Sequence, residues 1–349
     1  MTHYRRILKE HTAYFSFASA SALAFFLPSP TVNPRKEMIL VTGANGQIGT
    51  VLTEALRGAY GQDQVLATDI KKPEGHTGPF EMLDILNTQR IAEIVGDYNI
   101  TTIYHLAAIL SANGEWNPQK TWNINFNGSL SILELARAQG LRKVFFPSTI
   151  AVFGPTTPRD LTPQHTVIEP TTVYGISKAA NELWCNYYFN RYGLDVRSVR
   201  YPGIISYQSM PGGGTTDYAV DIFHQALLTG HYTCFLKANT RLPMMYMDDS
   251  IRATLELMAA PQESIKQRTS YNLAAMSFTP AELAEEIKKH IPGFTISYEP
   301  DHRQEIAESW TESIDDHEAR KDWGWKHAYD IETMTTEMLK QLKLKYNHV

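Results

Sequence analysis

The stretch TTVYGISKAANE, residues 171–182, carries Tyr174 and Lys178 four positions apart, the one Tyr-x-x-x-Lys among the chain's 18 tyrosines. In a helix that spacing puts both side chains on one face. An ammonium beside a phenol stabilises the phenolate and draws down a pKa that starts near ~10. Such a pair is a proton shuttle, able to take the proton of a substrate hydroxyl. Thr149, closing KVFFPST, is a natural second hydroxyl to hold the reacting oxygen near the phenol. Spacing alone is weak grounds. A cation beside a half-buried aromatic on a surface helix gives the same letters, as does a threonine that merely caps a strand.

The pair gains weight from what lies upstream. VTGANGQIG sets Gly43, Gly46 and Gly49 in G-x-x-G-x-x-G spacing, with Asn45, Gln47 and Ile48 between them, where an apolar run gives way to an amphipathic one. Missing side chains allow a tight turn and close approach of backbone to a pyrophosphate, while a helix N-terminus offers free N–H groups. Asp69 follows twenty residues past Gly49, at the end of QVLATD and before Ile70, where a carboxylate would accept hydrogen bonds from an adenosine ribose. It would also repel a 2′-phosphate, so NAD is favoured over NADP, with Lys71 and Lys72 able to soften the preference. Asp84 and Ile85, in EMLDIL, could approach the adenine, although Asp84 could equally cap the next helix. HLAA ends a strand with Leu106, Ala107 and Ala108, small enough for a dinucleotide to pass; His105 reads as a satisfied strand-end histidine. Asn125 either ties the Tyr174 helix to a neighbouring strand or serves the cofactor. Lys178 has a donor for the nicotinamide ribose.

These residues need a frame. From Met38, short apolar runs (MILVTG, QVLATD, ITTIYHLAA, KVFFPST) alternate with amphipathic ones (IGTVLTEALRGAYG, TQRIAEIVGDYN, WNINFNGSLSILELARAQG). Strict rotation of strand and helix argues for parallel pairing through right-handed crossovers. The fold class is α/β: a Rossmann-type doubly wound parallel sheet over 38–202, with a smaller C-terminal substrate-binding lobe, mainly 203–349, from which segments return to the first domain. In that lobe, AVDIFHQALLTG, FTPAELAEEIKKHIPG and IDDHEARKDWGW read as helices, the second capped by a threonine before Pro280. Residues 1–37 read as a targeting extension of mitochondrial type, the first thirty carrying Arg5, Arg6 and Lys9 against one acid, Glu10, and many serines and alanines; a secretory signal or cytosolic extension are the competitors. The apolar run there is too short and serine-broken for a membrane span. A net charge of -5 without a single-sign run leaves no nucleic-acid footprint. Two cysteines exclude a disulfide framework, and no His-Glu-x-x-His occurs, so no metal is expected.

Together TGANGQIG, HLAA, NFNGS, STIAVFG, YGISK, RYPGIIS and RLPMMYMDD resemble the extended short-chain dehydrogenase/reductase superfamily, in the branch of UDP-galactose 4-epimerase. STIAVFGPTTP, YPGIIS, GGGTTDYAVDIF and LPMMYMDD are more narrowly similar to the short-chain-type L-threonine 3-dehydrogenases. The resemblance runs from Met38 to about Leu339. It implies NAD-dependent oxidation of L-threonine to 2-amino-3-oxobutanoate, on the way to glycine or aminoacetone, in a mitochondrial homodimer coupled to the 2-amino-3-ketobutyrate CoA ligase that consumes the product. It puts Tyr174 as base, Lys178 as its partner, Thr149 as oxygen ligand, and Tyr201 and Ile204 of RYPGIIS at the cofactor. Thr149 stands where epimerases of the branch have serine.

Residue chemistry then has to choose between an amino acid and a nucleotide sugar. From Gly203 to Thr240 the only cation is Lys237, whereas GGGTTD offers backbone N–H groups at Gly214, hydroxyls at Thr215 and Thr216, and the Asp217 carboxylate; Ser111 adds a donor. That set suits a zwitterion better than a diphosphate. The same loop could simply cap the helix after it, and Arg241 keeps a UDP-sugar epimerase or dehydratase open. A catalytically silent NAD-binding protein is a third class, disfavoured by the intact Tyr–Lys pair. The helices containing NINFNGSLSILELARAQ and KAANELWCNYYFNRYG are apolar enough to pair with copies of themselves.

Overall fold

The computed structural model describes residues 38–347; the expected targeting segment lies outside them. Twelve strands are present among these residues: β1 (Ile39–Thr42), β2 (Val65–Asp69), β3 (Phe80–Met82), β4 (Thr102–His105), β5 (Lys143–Thr149), β6 (Asp195–Tyr201), β7 (Gly203–Ile205), β8 (His231–Cys234), β9 (Leu242–Tyr246), β10 (Tyr271–Asn272), β11 (Met276–Phe278) and β12 (Thr295–Tyr298). The longer helices are α1 (Gln47–Tyr60), α2 (Thr88–Asp97), α3 (Gly128–Gln139), α4 (Val173–Tyr192), α5 (Tyr218–Leu228), α6 (Met247–Ala259), α7 (Pro280–His290) and α8 (Ile331–Asn347). Seven strands form one parallel sheet in the order β10-β6-β5-β4-β1-β2-β3, so chain direction reverses its march across the sheet between β1 and β4. In a sheet of this kind the crevice at that reversal, beyond the strands' carboxyl ends, is the ligand site.

Alternation along the strands explains the layers. Ile39 and Val41 of β1 enter one apolar cluster with Val65, Ala67, Tyr104 and Phe145, under α1 and α6. Leu40 enters the opposite one with Leu66, Ile103 and Val144, under α2 and α3. Both faces of β1, β2, β4 and β5 are therefore apolar, as the unbroken runs in the sequence require. A third core sits outside the sheet, built from α5, α7, α8, β8 and β9, and it takes in Ile150–Phe153, which directly follow β5. Residues returning from the C-terminal part include β10, which pairs with β6, and α6, which packs against α1 and β6.

Local chemistry sets the ends. Gly61 and Gly140 close α1 and α3 with φ of 107° and 65°, and Thr279 with Glu282 forms a reciprocal capping box on α7. The helix expected from Trp122 to Gly140 is broken: a short helix, Pro118–Trp122, passes into one wider turn, Asn123–Asn127, before α3 begins. Such π turns re-aim side chains at working positions, and this one carries Asn125. β4 stops at His105, so Leu106, Ala107 and Ala108 leave the sheet.

Behind the carboxyl end of β5 lies a buried ion pair. Arg200 of β6 binds Glu182 of α4 through Nε and Nη2 at 2.9 and 2.7 Å, with both side chains about 4% exposed. Ser148 also donates to Glu182, and Arg200 donates to Gln164 O and Asn272 Oδ1. Removing one partner of such a pair strands the other without solvent. Arg200→Met should therefore cost about 3–5 kcal/mol of unfolding free energy, measured by urea denaturation.

Candidate functional site

The glycine loop is shaped by contacts that exclude a side chain. Gly43 has φ of +69°, and a Cβ there would lie 2.6 Å from Ala107 N; a Cβ on Gly49 would lie 2.2 Å from Gly43 O. Helix α1 thus enters the crevice against the HLAA backbone. Gly46, its N-cap, provides no side-chain hydrogen bond, and no acid sits in the first turn. An uncapped helix N-terminus facing a crevice fits a pyrophosphate. Asp69 stands beside it, partly exposed: Oδ2 accepts from Asn45 N at 3.0 Å and Oδ1 from Ile70 N at 2.7 Å, while Asn45 Nδ2 donates to Lys71 O. The carboxylate holds the loop tip and stays accessible to a ribose diol. Gln47 Nε2 reaches Ile204 O at 3.3 Å, tying the loop to β7. Leu106, Ala107 and Ala108 are partly open, while Ile48 packs against the core below the loop.

Three residues expected at the cofactor have contacts of their own. Asn87, accepting from Arg90 N, caps α2 in place of Asp84, whose carboxylate makes a tight turn with Leu86 N; Asp84 is exposed, and Ile85 is buried against Gly128. The Tyr201 hydroxyl is turned into the core, bonded to Thr254 and Ser250 O, so only its backbone is left for a cofactor. Asn125 is buried, and its amide binds Ile109 twice, accepting from N and donating to O. Its own carbonyl receives Asn181 Nδ2 of α4. The tie to the Tyr174 helix is thus the role its geometry displays.

Tyr174, Thr149 and Lys178 come together. Thr172 caps α4, and Gly175 is the reason the helix can approach: a Cβ there would lie 2.1 Å from Ala151 O in the turn after β5. Thr149 opens that turn, accepting from Ala151 N, and its hydroxyl lies within reach of the Tyr174 phenol. Lys178 is buried one turn along, Nζ lying 5.7 Å from the phenol ring centroid and donating to Pro147 O at 2.8 Å. The electrostatics differ from the simple expectation. Burial pushes Tyr174 up to about 12, with the Thr149 hydrogen bond opposing, and the ammonium does not offset it. Lys178 itself is depressed to about 8, again by burial. His105 is neutral, held near 3 by burial and by Lys178, and bonds Thr42 at 2.8 Å. The site thus carries one costly cation and a protonated phenol until further positive charge arrives.

On the other side of the crevice, Ser111 and Thr215 meet at 3.2 Å and are both buried. Asn113 donates to Gly212 O, fastening the same loop to the segment after β4. Thr216 packs against Gly203, next to Ile204. Asp217 takes a different role from the one expected of it. Its Oδ2 accepts from Gly212 N, Gly213 N and Gly214 N, each at 2.8 Å, so it folds the glycine loop instead of presenting that oxygen to a substrate ammonium. Sequence reasoning passed over Gly175, Asn181 and Asn113. The first stands next to Tyr174 and the second one turn past Lys178, positions that a search of the tyrosine's own helix would have reached.

This assembly, an uncapped glycine turn facing a Tyr–Lys–Thr cluster across one crevice, is that of an NAD-dependent oxidoreductase. Residues 39–274 match the model of the NAD dependent epimerase/dehydratase family, and the chain belongs to that family. It is 51% identical over 308 residues to the mitochondrial L-threonine 3-dehydrogenase of Bos taurus, covering 87% of this chain and 82% of the bovine one. Its fold superposes on the holo form of the GalE-like L-threonine dehydrogenase from Cupriavidus necator with a TM-score of 0.86, at 55% identity over 87% of this chain and 99% of that one. A monomeric L-threonine 3-dehydrogenase from a metagenome gives a TM-score of 0.87 at 50% identity, covering 88% and 99%.

Lys178 makes the cost of the site measurable. Its folded pKa, about 8, lies below the ordinary lysine value of 10.5. The unfolded chain therefore holds more protons between those values, and stability rises with pH across that window. Lys178→Met should be more stable than wild type at pH 7, with the difference shrinking from pH 8 towards 10.5. Urea titrations at stepped pH check the sign.

Proposed function

We propose that this chain is an NAD-dependent L-threonine 3-dehydrogenase, converting L-threonine to 2-amino-3-oxobutanoate. The observation that carries the reading is the placing of Thr149 and buried Lys178 beside the Tyr174 phenol, in a crevice whose other wall is hydroxyl-lined and poor in cations. Bound NAD supplies the hydride acceptor for C3 and a positive charge. Gly43, Gly46 and Gly49 admit its pyrophosphate, Asp69 its adenosine ribose, and Ile204 its nicotinamide. Tyr174 takes the proton of the C3 hydroxyl and Thr149 holds the same oxygen. Lys178 stabilises the phenolate once it forms and has donors left for the nicotinamide ribose. Ser111, Gly214, Thr215 and Thr216 are assigned to the amino acid's polar ends.

A nucleotide-sugar substrate loses its anchors. Arg241 is bound to Glu282 and to Ser277 O, and Lys237 pairs with Glu308 at 2.7 Å. Neither cation is left for a diphosphate without breaking an existing pair.

Three further assignments go with the activity. The product, a β-keto acid, suits immediate capture by the 2-amino-3-ketobutyrate CoA ligase. A mitochondrial location is in keeping with the bovine relative and with the composition of residues 1–37, the bacterial relative keeping a cytoplasmic one in view. A homodimer is supported by α4, which exposes Ile176, Leu183 and Tyr187 along one stripe. The monomeric relative makes that stripe the feature to test: Leu183→Glu should halve the mass seen by light scattering, whereas a wild-type monomer would remove the dimer.

For the chemistry, Tyr174→Phe should lower kcat for threonine-dependent NADH formation by roughly 10²–10⁴-fold while NAD affinity changes little. Wild-type activity should climb with pH into the alkaline range, because the base works only deprotonated. Retained turnover in the variant, or silence with threonine alongside conversion of a UDP-sugar, would remove this reading.

A further inference from the structure

The loop of residues 212–217 carries Thr215 and Thr216 to one wall of the crevice, Thr215 against Ser111 and Thr216 against Gly203. A single oxygen shapes it. Asp217 is buried, and its Oδ2 accepts from Gly212 N, Gly213 N and Gly214 N, each at 2.8 Å. The glycines make room for this wrap. A Cβ on Gly214 would lie 2.8 Å from Asp217 Oδ1, and Gly213, with φ of +94°, would put one 2.3 Å from Asn113 Nδ2. A carboxylate oxygen offers about two lone pairs, so three N–H groups converging on it are held by its negative charge more than by direction. A proton removes that charge. On Oδ2 it would point a donor at three donors; on Oδ1 it would leave a neutral acceptor short of a lone pair for one of them. In either form at least one amide loses its charged partner, and a hydrogen bond to a charged group is the stronger kind.

We propose that Asp217 is a positioning residue: its ionised carboxylate holds Thr215 and Thr216 in place for the substrate, so threonine affinity follows the charge on this one side chain. The proposal rests on the threonine reading above. Among the described residues the Asp217 side chain hydrogen-bonds loop amides alone, so it acts through the loop and not on the reacting atoms. Losing its charge therefore weakens threonine binding and leaves the step at Tyr174 nearly as it was. Burial raises the Asp217 pKa, with the three amide bonds and Arg303 opposing. As pH falls, Asp217 takes its proton before an exposed aspartate would. The other charged or titratable groups facing it are few. Asp221 of α5, Tyr232 of β8, Glu299 and Arg303 border the same hollow, and Arg303 is already clamped by Asp301. On the segment after β4, Glu115 is turned to Val173 N.

The test is Asp217→Asn, which keeps the shape and loses the charge, read by amide hydrogen exchange and by steady-state kinetics at stepped pH from neutral into the acid range. At neutral pH the amides of residues 212–216 should exchange roughly tenfold faster in the variant, after correction for the intrinsic pH dependence, and the gap should close towards acid. The threonine KM should be about tenfold higher in the variant and flat with pH, whereas the wild-type KM climbs towards it as pH falls. At each pH, kcat and the KM for NAD should stay within about twofold of wild type. A merely structural role would instead lower kcat and NAD affinity together, without following pH. Exchange needs no substrate, so a protein inactive on threonine loses the kinetic arm and keeps the exchange arm. Equal exchange in the two proteins, a variant KM that still rises with acid, or a fall in kcat at unchanged KM would each overturn the proposal. If the variant does not fold, the wild-type series decides alone, and a threonine KM flat into the acid range overturns it.

Discussion

The closeness of helix α4 to the turn after β5 is the constraint on which the site depends. At Gly175 the helix lies against Ala151 O with no room for one more carbon. That approach brings Tyr174 within hydrogen-bonding reach of Thr149 and carries Lys178 below the surface, where one carbonyl, Pro147 O, replaces its water. A lysine gives up solvation under such conditions, and the loss appears as a depressed pKa. The Arg200–Glu182 pair and the Asn125–Asn181 bond hold the next turns of the same helix on either side. Geometry is bought here with stability, a trade found wherever a reactive group must be held away from water.

Two carboxylates show one physical solution used twice. Asp69 takes the N–H of Asn45 at the tip of the first glycine loop, and Asp217 takes three successive N–H groups in the second. Glycine-rich backbone has conformational freedom to lose and unpaired donors to satisfy. A nearby acid fixes both problems, because an ionised acceptor makes strong bonds to amides. Each loop is therefore ordered by its own sequence neighbourhood before any ligand contributes.

This also explains what was legible. The alternation of apolar runs predicts the parallel sheet, since strands buried on both faces must be apolar throughout, and β1, β2, β4 and β5 follow that rule. Gly43, Asp69, Thr149, Tyr174 and Lys178 could be placed because their roles depend on local spacing plus strand ends. Asp84, Asn125, Tyr201 and Asp217 were harder. Each is polar and lies near the crevice in sequence, but rotamer and depth decide whether it faces outward, and those depend on partners 16 to 53 residues away for Asn125 and Tyr201. The π turn around Asn125 has no signature in helical periodicity, because a five-residue turn is too short a run for a change of period to show.

Charge pairing in the second lobe reaches further than any single contact. A chain that belongs to an epimerase/dehydratase family could handle either diphosphates or free amino acids, and the difference is whether cations near the crevice are free. Arg241 and Lys237 are consumed by Glu282 and Glu308 on α7 and on the short helix Arg303–Glu308. Pairs this exposed are weak by themselves, so they are not there chiefly for stability. Their effect is that neither cation can meet a phosphate without giving up the carboxylate it already holds.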